Sequence, residues 1–406
     1  MEEDSWNPSP SSSISQSPLN FLSPSEPRRK KRKLTSSSRL QSRSFESDDS
    51  YNSEVKYGRC CGNHVSKWDI CVLESVGILY DEKATELSEL YKSSLEDLYP
   101  IVFEGIKDHA VFWTKLLEIK ECLIESTEKC MQSLDAGHMS QLESSVYRKE
   151  FDKSFQAVTK IKEEMLMKIG SPSSLDYLSR YIFSIWGTGI SEYVHYYSGL
   201  IKELNTERRS GVNGEFSQLL IFFSKIFLLN PLRGDAKRKM QMRLNGVDTT
   251  SVPDVRYSLL GDCTPYQRNS SVLTVTSGEM KMWKFKDLES APDFNIRDLK
   301  FQGQSLDRLL GQHGGELLVE NLNSVLFNTV LGIICIQTTV IFTCLKLDPE
   351  HLRELEDASK PENGRSRIHY SKPYNFLVKK DREEILDTMF HLGLLCRVRS
   401  LHFYQD

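Results

Sequence analysis

The run that decides the fold is NLNSVLFNTVLGIICIQTTVIFTCL, Asn321 to Leu345, 25 residues without a charge. Its length alone would cross a bilayer. It also carries Asn321, Asn323, Asn328, Gln337, Ser324 and four threonines, and no strong basic excess flanks it: Glu316 and Glu320 precede it, and Lys346, Asp348 and Glu350 follow. Polar content and flanks of this kind argue against insertion. The reading is therefore a central core helix, or a helix followed by a strand given Val330, Ile333, Ile334, Ile336 and the Thr338–Ile341 run. No membrane role is expected.

Around this run the apolar spacing is mostly helical. Leu87, Leu90, Tyr91, Leu95 and Leu98 recur at steps of three and four, with Asp81 as the expected N-cap and Pro100 as the stop. A second helix is predicted over 106–134, with Ala110, Trp113, Leu117, Ile124 and Met131 inward, and a third over 140–169. Aromatic-rich residues 174–232 predict two or three more buried helices. Helical pattern returns from Leu306; Asp348-Pro349-Glu350 reads as a capped start, and a last helix is predicted over 380–396. Between these, residues 246–304 change character, and Ser277-Gly278 sits between two strand-like pieces, a hairpin signal. The expected fold is mainly α: a helical bundle-like body with a small β-hairpin-containing segment and a disordered N-terminal tail. The predicted organisation is a tail at 1–56, a helical domain at 57–245, a mixed strand and loop segment at 246–304, and a helical C-terminal region at 305–406 packing on the helical domain.

Residues 1–56 are rich in Ser, Pro, Arg and Asp, with few apolar side chains. Such a segment cannot bury enough apolar surface to offset the entropy of ordering it. Within it, PRRKKRKL places Arg28, Arg29, Lys30, Lys31, Arg32 and Lys33 together in a chain of net charge -4. A dense basic block between Pro and Ser has the form of a nuclear import signal, which implies an import receptor as partner and the nucleus as compartment. Ser17 and Ser23, each followed by Pro, and Ser47, followed by two aspartates, are candidate phosphorylation sites whose charge would weaken the block. Nine cysteines without tight pairing, and an acidic opening without a signal-peptide pattern, fit a reducing compartment.

Chemical motifs are sparse. The chain lacks GxGxxG, GxxxxGK[ST], GxSxG and HExxH. Cys60, Cys61, His64 and Cys71 lie close in sequence but lack the two spaced pairs of a zinc site, so no metal is expected. His313-Gly314-Gly315-Glu316 reads as a turn ahead of the apolar run. Outside the tail, the basic residues Arg233, Lys237, Arg238, Lys239 and Arg243 fall in one short segment read as helical, a candidate nucleic-acid contact. The sequence pI near 6.2 is low for such a role. With no catalytic motif and no cofactor signature, the expectation is a non-enzymatic nuclear interaction protein. It would be a helical adaptor or scaffold subunit of a complex in chromosome maintenance, DNA repair or transcription, with protein partners that the sequence does not name. The alternative is direct nucleic-acid binding through 233–243 and the basic tail. An enzyme whose residues are dispersed along the chain would be revealed by paired polar residues brought together in the fold.

Overall fold

In the computed structural model, the run Asn321–Leu345 is neither a helix nor a helix and a strand. It holds two antiparallel strands at the centre of a sheet, β9 (Thr329–Ile336) and β10 (Thr339–Lys346), in register from Thr339 opposite Ile336 to Lys346 opposite Thr329. Gln337 and Thr338 form the two-residue turn, and Gln337 takes a φ of 57°, the left-handed value that tight hairpin turns require. The structure describes residues 63–134, 156–164, 167, 176–204, 213–234, 239–260, 270–278, 281–282, 294–299, 301–302, 305–357 and 365–402, all within the unit Val55–Asp406.

The hairpin belongs to an eight-stranded mixed sheet. Its other strands are β1 (Ile78–Tyr80), β2 (Pro231–Arg233), β5 (Val255–Ser258), β6 (Ser271–Gly278), β11 (Ser366–Tyr370) and β12 (Tyr374–Asn375), in the order β1-β11-β10-β9-β6-β5-β2, with β12 also on β10. β6 runs parallel to β9 and β1 parallel to β11; the remaining pairs are antiparallel. A separate two-stranded hairpin is built from β3 (Met240–Leu244) and β4 (Val247–Ser251), and β7 (Lys281–Met282) pairs with β8 (Phe301–Gln302).

The expected mainly α, bundle-like body is thus corrected to an α/β architecture with helices on both faces of the sheet. On one face pack α2 (Leu87–Phe103), α3 (His109–Met131), α4 (Tyr177–Leu204), α5 (Asn213–Ile226) and α8 (Lys379–His402), sharing a core with Leu331, Ile333, Cys335, Val340, Phe342 and Cys344. On the other lie α6 (Leu306–Glu320), α1 (Ile70–Ser75) and α7 (Pro349–Glu356), sharing a core with Val330, Ile334, Ile336, Ile341 and Leu345. Alternate residues of β9 and β10 therefore enter two different cores. Both faces are covered, so apolar residues dominate both sets of positions and the strand period disappears from the sequence.

Several local readings hold. Asp348 caps α7 by accepting from the Glu350 amide at 2.8 Å, with Pro349 at the first turn. α2 buries Leu87, Leu90, Tyr91 and Leu98, but starts from Glu86 rather than Asp81, and Pro100 falls inside its last turn. α3 is present with its face displaced by one residue: Phe112, Leu116, Ile119 and Leu123 are buried, whereas Ala110 is exposed and Trp113 and Leu117 are half-buried. The predicted hairpin around Ser277-Gly278 is corrected, because β6 pairs with β5 and β9 and not with β7. The third helix predicted over 140–169 is described only at 156–164 and 167, which are helical; the tail at 1–56 lies outside the described residues.

Glycines set the depth of α6. A Cβ on Gly311 would strike the backbone of Asp69, and one on Gly332 in β9 would strike Thr343 Oγ1, Leu317 Cδ2 at 2.7 Å and His313 Cε1 at 2.9 Å. Overpacking of this kind costs about 1–3 kcal/mol. Gly332→Ala is expected to lower unfolding free energy by that amount in urea titration, with an unchanged denaturant slope.

Candidate functional site

α6 is almost wholly buried, yet it carries Gln312, His313, Glu316 and Glu320. Steps of three and four put these on one stripe, and that stripe faces β5 and β6. The sheet answers with polar residues. Strand register aligns Arg256, Thr274, Gly332 and Thr343 in a row across β5, β6, β9 and β10, and Thr276 lies two residues beyond Thr274 on the same face.

The groups form a connected network. His313 Nδ1 lies 2.7 Å from Thr276 Oγ1, and His313 Nε2 lies 2.7 Å from Thr343 Oγ1. The Thr276 hydroxyl also bonds to the Glu316 carboxyl, which accepts from Gln312 Nε2 at 2.9 Å. One α-helical turn on, Glu320 forms an ion pair with Arg256. Burial holds the His313 imidazole neutral by lowering its pKa to about 3. Burial also pushes the Glu316 carboxyl well above the usual carboxylate range, and the charges of Asp254 and Glu320 push it in the same direction. Glu320 is raised by burial and held back by Arg256. Arg256 Nε, Glu320 Oε2 and Thr274 Oγ1 are buried with no hydrogen-bond partner. Orphaned buried polar atoms cost about 1–3 kcal/mol each.

Asp254 is exposed just before β5, and its Oδ2 accepts from the Ser277 amide at 2.7 Å near the carboxyl end of β6. β6 and β9 are the parallel neighbours linked by the crossover that contains α6. In open α/β sheets the carboxyl ends of parallel strands are where ligands bind.

The residues predicted from sequence are dispersed. Arg233 is exposed at the end of edge strand β2, and Arg243 is exposed on β3 of the separate hairpin, where the register sets it opposite Asp248. The segment read as a basic helix is therefore corrected to two strands in different sheets, with Lys239 exposed just before β3. Lys237 and Arg238, the import block Arg28–Lys33, Ser17, Ser23 and Ser47 lie outside the described residues, as do Cys60 and Cys61. His64 bonds through Nδ1 to Thr250 Oγ1 at 2.7 Å, and Cys71 is exposed on α1. His313-Gly314-Gly315-Glu316, expected as a turn, lies inside α6. The polar stripe of α6 was missed as a site, although Gln312, Glu316 and Glu320 at steps of four in an apolar helix were a usable signal.

Two cavities open at the surface of the helices. A groove of about 460 Å³ between α2, α3 and α8 is lined by Tyr99, Trp113, His391, Leu95, Glu96 and Asp387, among others. A smaller pocket of about 270 Å³ lies between α4, α8 and the segment after α5. Among the described residues no three or more His, Cys, Asp or Glu side chains are grouped as a metal site, and no helix is long and apolar enough to cross a membrane. Searches against protein families, curated proteins and solved structures found no match for the chain.

A group whose folded-state pKa is lowered destabilises the fold as pH falls below its ordinary value. His313 is of this kind, so its contribution is intact above about pH 6.5 and is lost as the pH falls toward 3. The expected NMR result is that the His313 ring resonances stay at their neutral-imidazole positions down to about pH 4. A His313 midpoint above pH 6 would contradict the sealed network.

Proposed function

We propose that the protein is a non-enzymatic nuclear interaction protein, an adaptor or scaffold subunit that docks a partner segment in the groove between α2, α3 and α8. The observation that carries this reading is the aromatic lining of that groove, where Trp113 packs against Tyr99 at 5.8 Å and His391 at 5.1 Å between ring centroids. Aromatic side chains in a partly open groove are a common docking surface for peptide segments. The nuclear compartment rests on the block Arg28–Lys33.

The full chain and Glu96→Arg, a change at an exposed position in the groove wall, are compared as bait in nuclear extract. The expected result is a captured protein whose recovery falls about tenfold in Glu96→Arg at an unchanged melting temperature, since a few contacts carry most of an interface's energy. The same proteins at the same recovery in both would remove the groove as the docking surface. Replacing Arg28–Lys33 with alanine is expected to abolish nuclear accumulation of a fluorescently tagged chain; unchanged accumulation would remove the nuclear assignment.

A further inference from the structure

The groove between α2, α3 and α8 has unlike ends. Tyr99 of α2, Trp113 of α3 and His391 of α8 line one end, and Ser88 and Lys92 of α2 line the other. Between them stand two exposed carboxylates, Glu96 on the α2 wall and Asp387 on the α8 wall. Tyr99 and Trp113 are half-buried, and their rings cross at 73°, so together they form a corner. The His391 ring meets Trp113 at 59°. Burial, and then the Lys120 charge, lower the His391 pKa, so this ring is neutral near pH 7.

The charges around the corner favour a cation. Asp387 pairs with Lys120 Nζ at 2.6 Å, but Lys120 also meets Glu121 at 3.5 Å, so these three groups together keep one negative charge. Glu96 adds a second. Lys92 offsets one of them from one turn before Glu96, the less favourable order for an i,i+4 pair. The chain shows elsewhere what a ring and a carboxylate hold between them. Lys225 Nζ lies 4.9 Å from the Phe222 centroid and pairs with Glu192 at 2.7 Å. Lys372 Nζ lies 5.3 Å from the Tyr374 centroid and pairs with Glu384 at 3.0 Å. Among side-chain cations the guanidinium suits a corner best, because it is planar: it stacks on one ring and keeps N–H edges for a carboxylate.

We infer that the Tyr99–Trp113–His391 end of the groove takes an arginine side chain of the partner segment, stacked in the ring corner with its fork turned to Glu96. This rests on the docking reading of the groove and adds the chemistry that the segment must present. One guanidinium meets the requirement, whatever the net charge of the segment that carries it.

The test is a selection followed by binding. Short random peptides displayed on phage are selected on the immobilised full chain, with Glu96→Arg as the counter-selection. The expected result is arginine fixed at one position of the selected peptides. By fluorescence anisotropy, replacing that arginine with citrulline, its uncharged near-isostere, is expected to weaken binding about tenfold, and replacing it with lysine about threefold. Trp113→Leu is expected to weaken the arginine peptide about tenfold. Glu96→Gln is expected to weaken it about threefold and to leave the citrulline peptide unchanged; Glu96 is exposed, so this variant keeps the test open should Trp113→Leu fail to fold. Peptides that discriminate against Glu96→Arg yet lack arginine, or that bind equally well with citrulline, would overturn the inference and leave the docking groove standing. Dimers of the full chain that Glu96→Arg dissociates, seen by light scattering, would put a second copy in the groove and overturn it too. No peptide that distinguishes the two baits would overturn both this inference and the docking reading.

Discussion

The structure depends on how closely one helix can lie on one sheet. α6 is enclosed by β6, β9 and β10 below and by α1 and the Val65–Lys67 turn above, and glycines occupy the points of nearest approach. Gly311 meets the Asp69 backbone, Gly314 meets Leu73, and Gly315 meets Val65 and Trp68, while Gly332 opens the sheet beneath His313. Glycine inside a helix costs about 1 kcal/mol relative to alanine. Three of them in fifteen residues are affordable only because the side chains packed into the space, including the fully buried Trp68 and Leu73, return more through burial, at about 1.5–3 kcal/mol each. Close approach has a second effect. It excludes water from the polar stripe of α6, so every charge on that stripe is governed by its few neighbours and not by solvent.

That exclusion explains the opposed behaviour of His313 and Glu316. Desolvation disfavours whichever form is charged, so it drives the imidazole pKa down and the carboxyl pKa up. His313 is thereby neutral near pH 7 and Glu316 is driven toward its neutral form, and among the described residues the layer between α6 and β6 carries one ion pair, Arg256 with Glu320. Apolar residues in this layer would give a more stable protein by the ordinary comparison of buried ion pairs with hydrophobic replacements. The orphaned Thr274 hydroxyl and Glu320 oxygen make the cost plain.

How much of this was legible in the sequence follows from which interactions are local. The cap at Asp348, the stripe of α2 and the existence of α3 depend on residues within a few positions of one another, and all three could be read. The hairpin Thr329–Lys346 could not, because strands covered on both faces lose their alternation and resemble a core helix. The pairing of β6 with β9 joins residues more than fifty positions apart, with α6 between, and the neighbouring Ser277-Gly278 turn chemistry pointed to a nearer partner that the fold does not use. The candidate site was hidden for the same reason. Asp254, Thr276 and Glu316 are three unremarkable residues in sequence, and only the crossover brings them together.

The acidity of the chain bears on which kind of partner it can meet. With a net charge of -4, the molecule as a whole repels nucleic acid, and long-range attraction cannot supply the affinity that a basic domain obtains without regard to sequence or shape. Affinity must come from short-range contacts, where screening is weak. The groove between α2, α3 and α8 has surface of that kind: Tyr99, Trp113 and His391 present rings whose burial by a partner segment gives affinity that salt changes little, so the shape of the segment, and not its net charge, decides what fits.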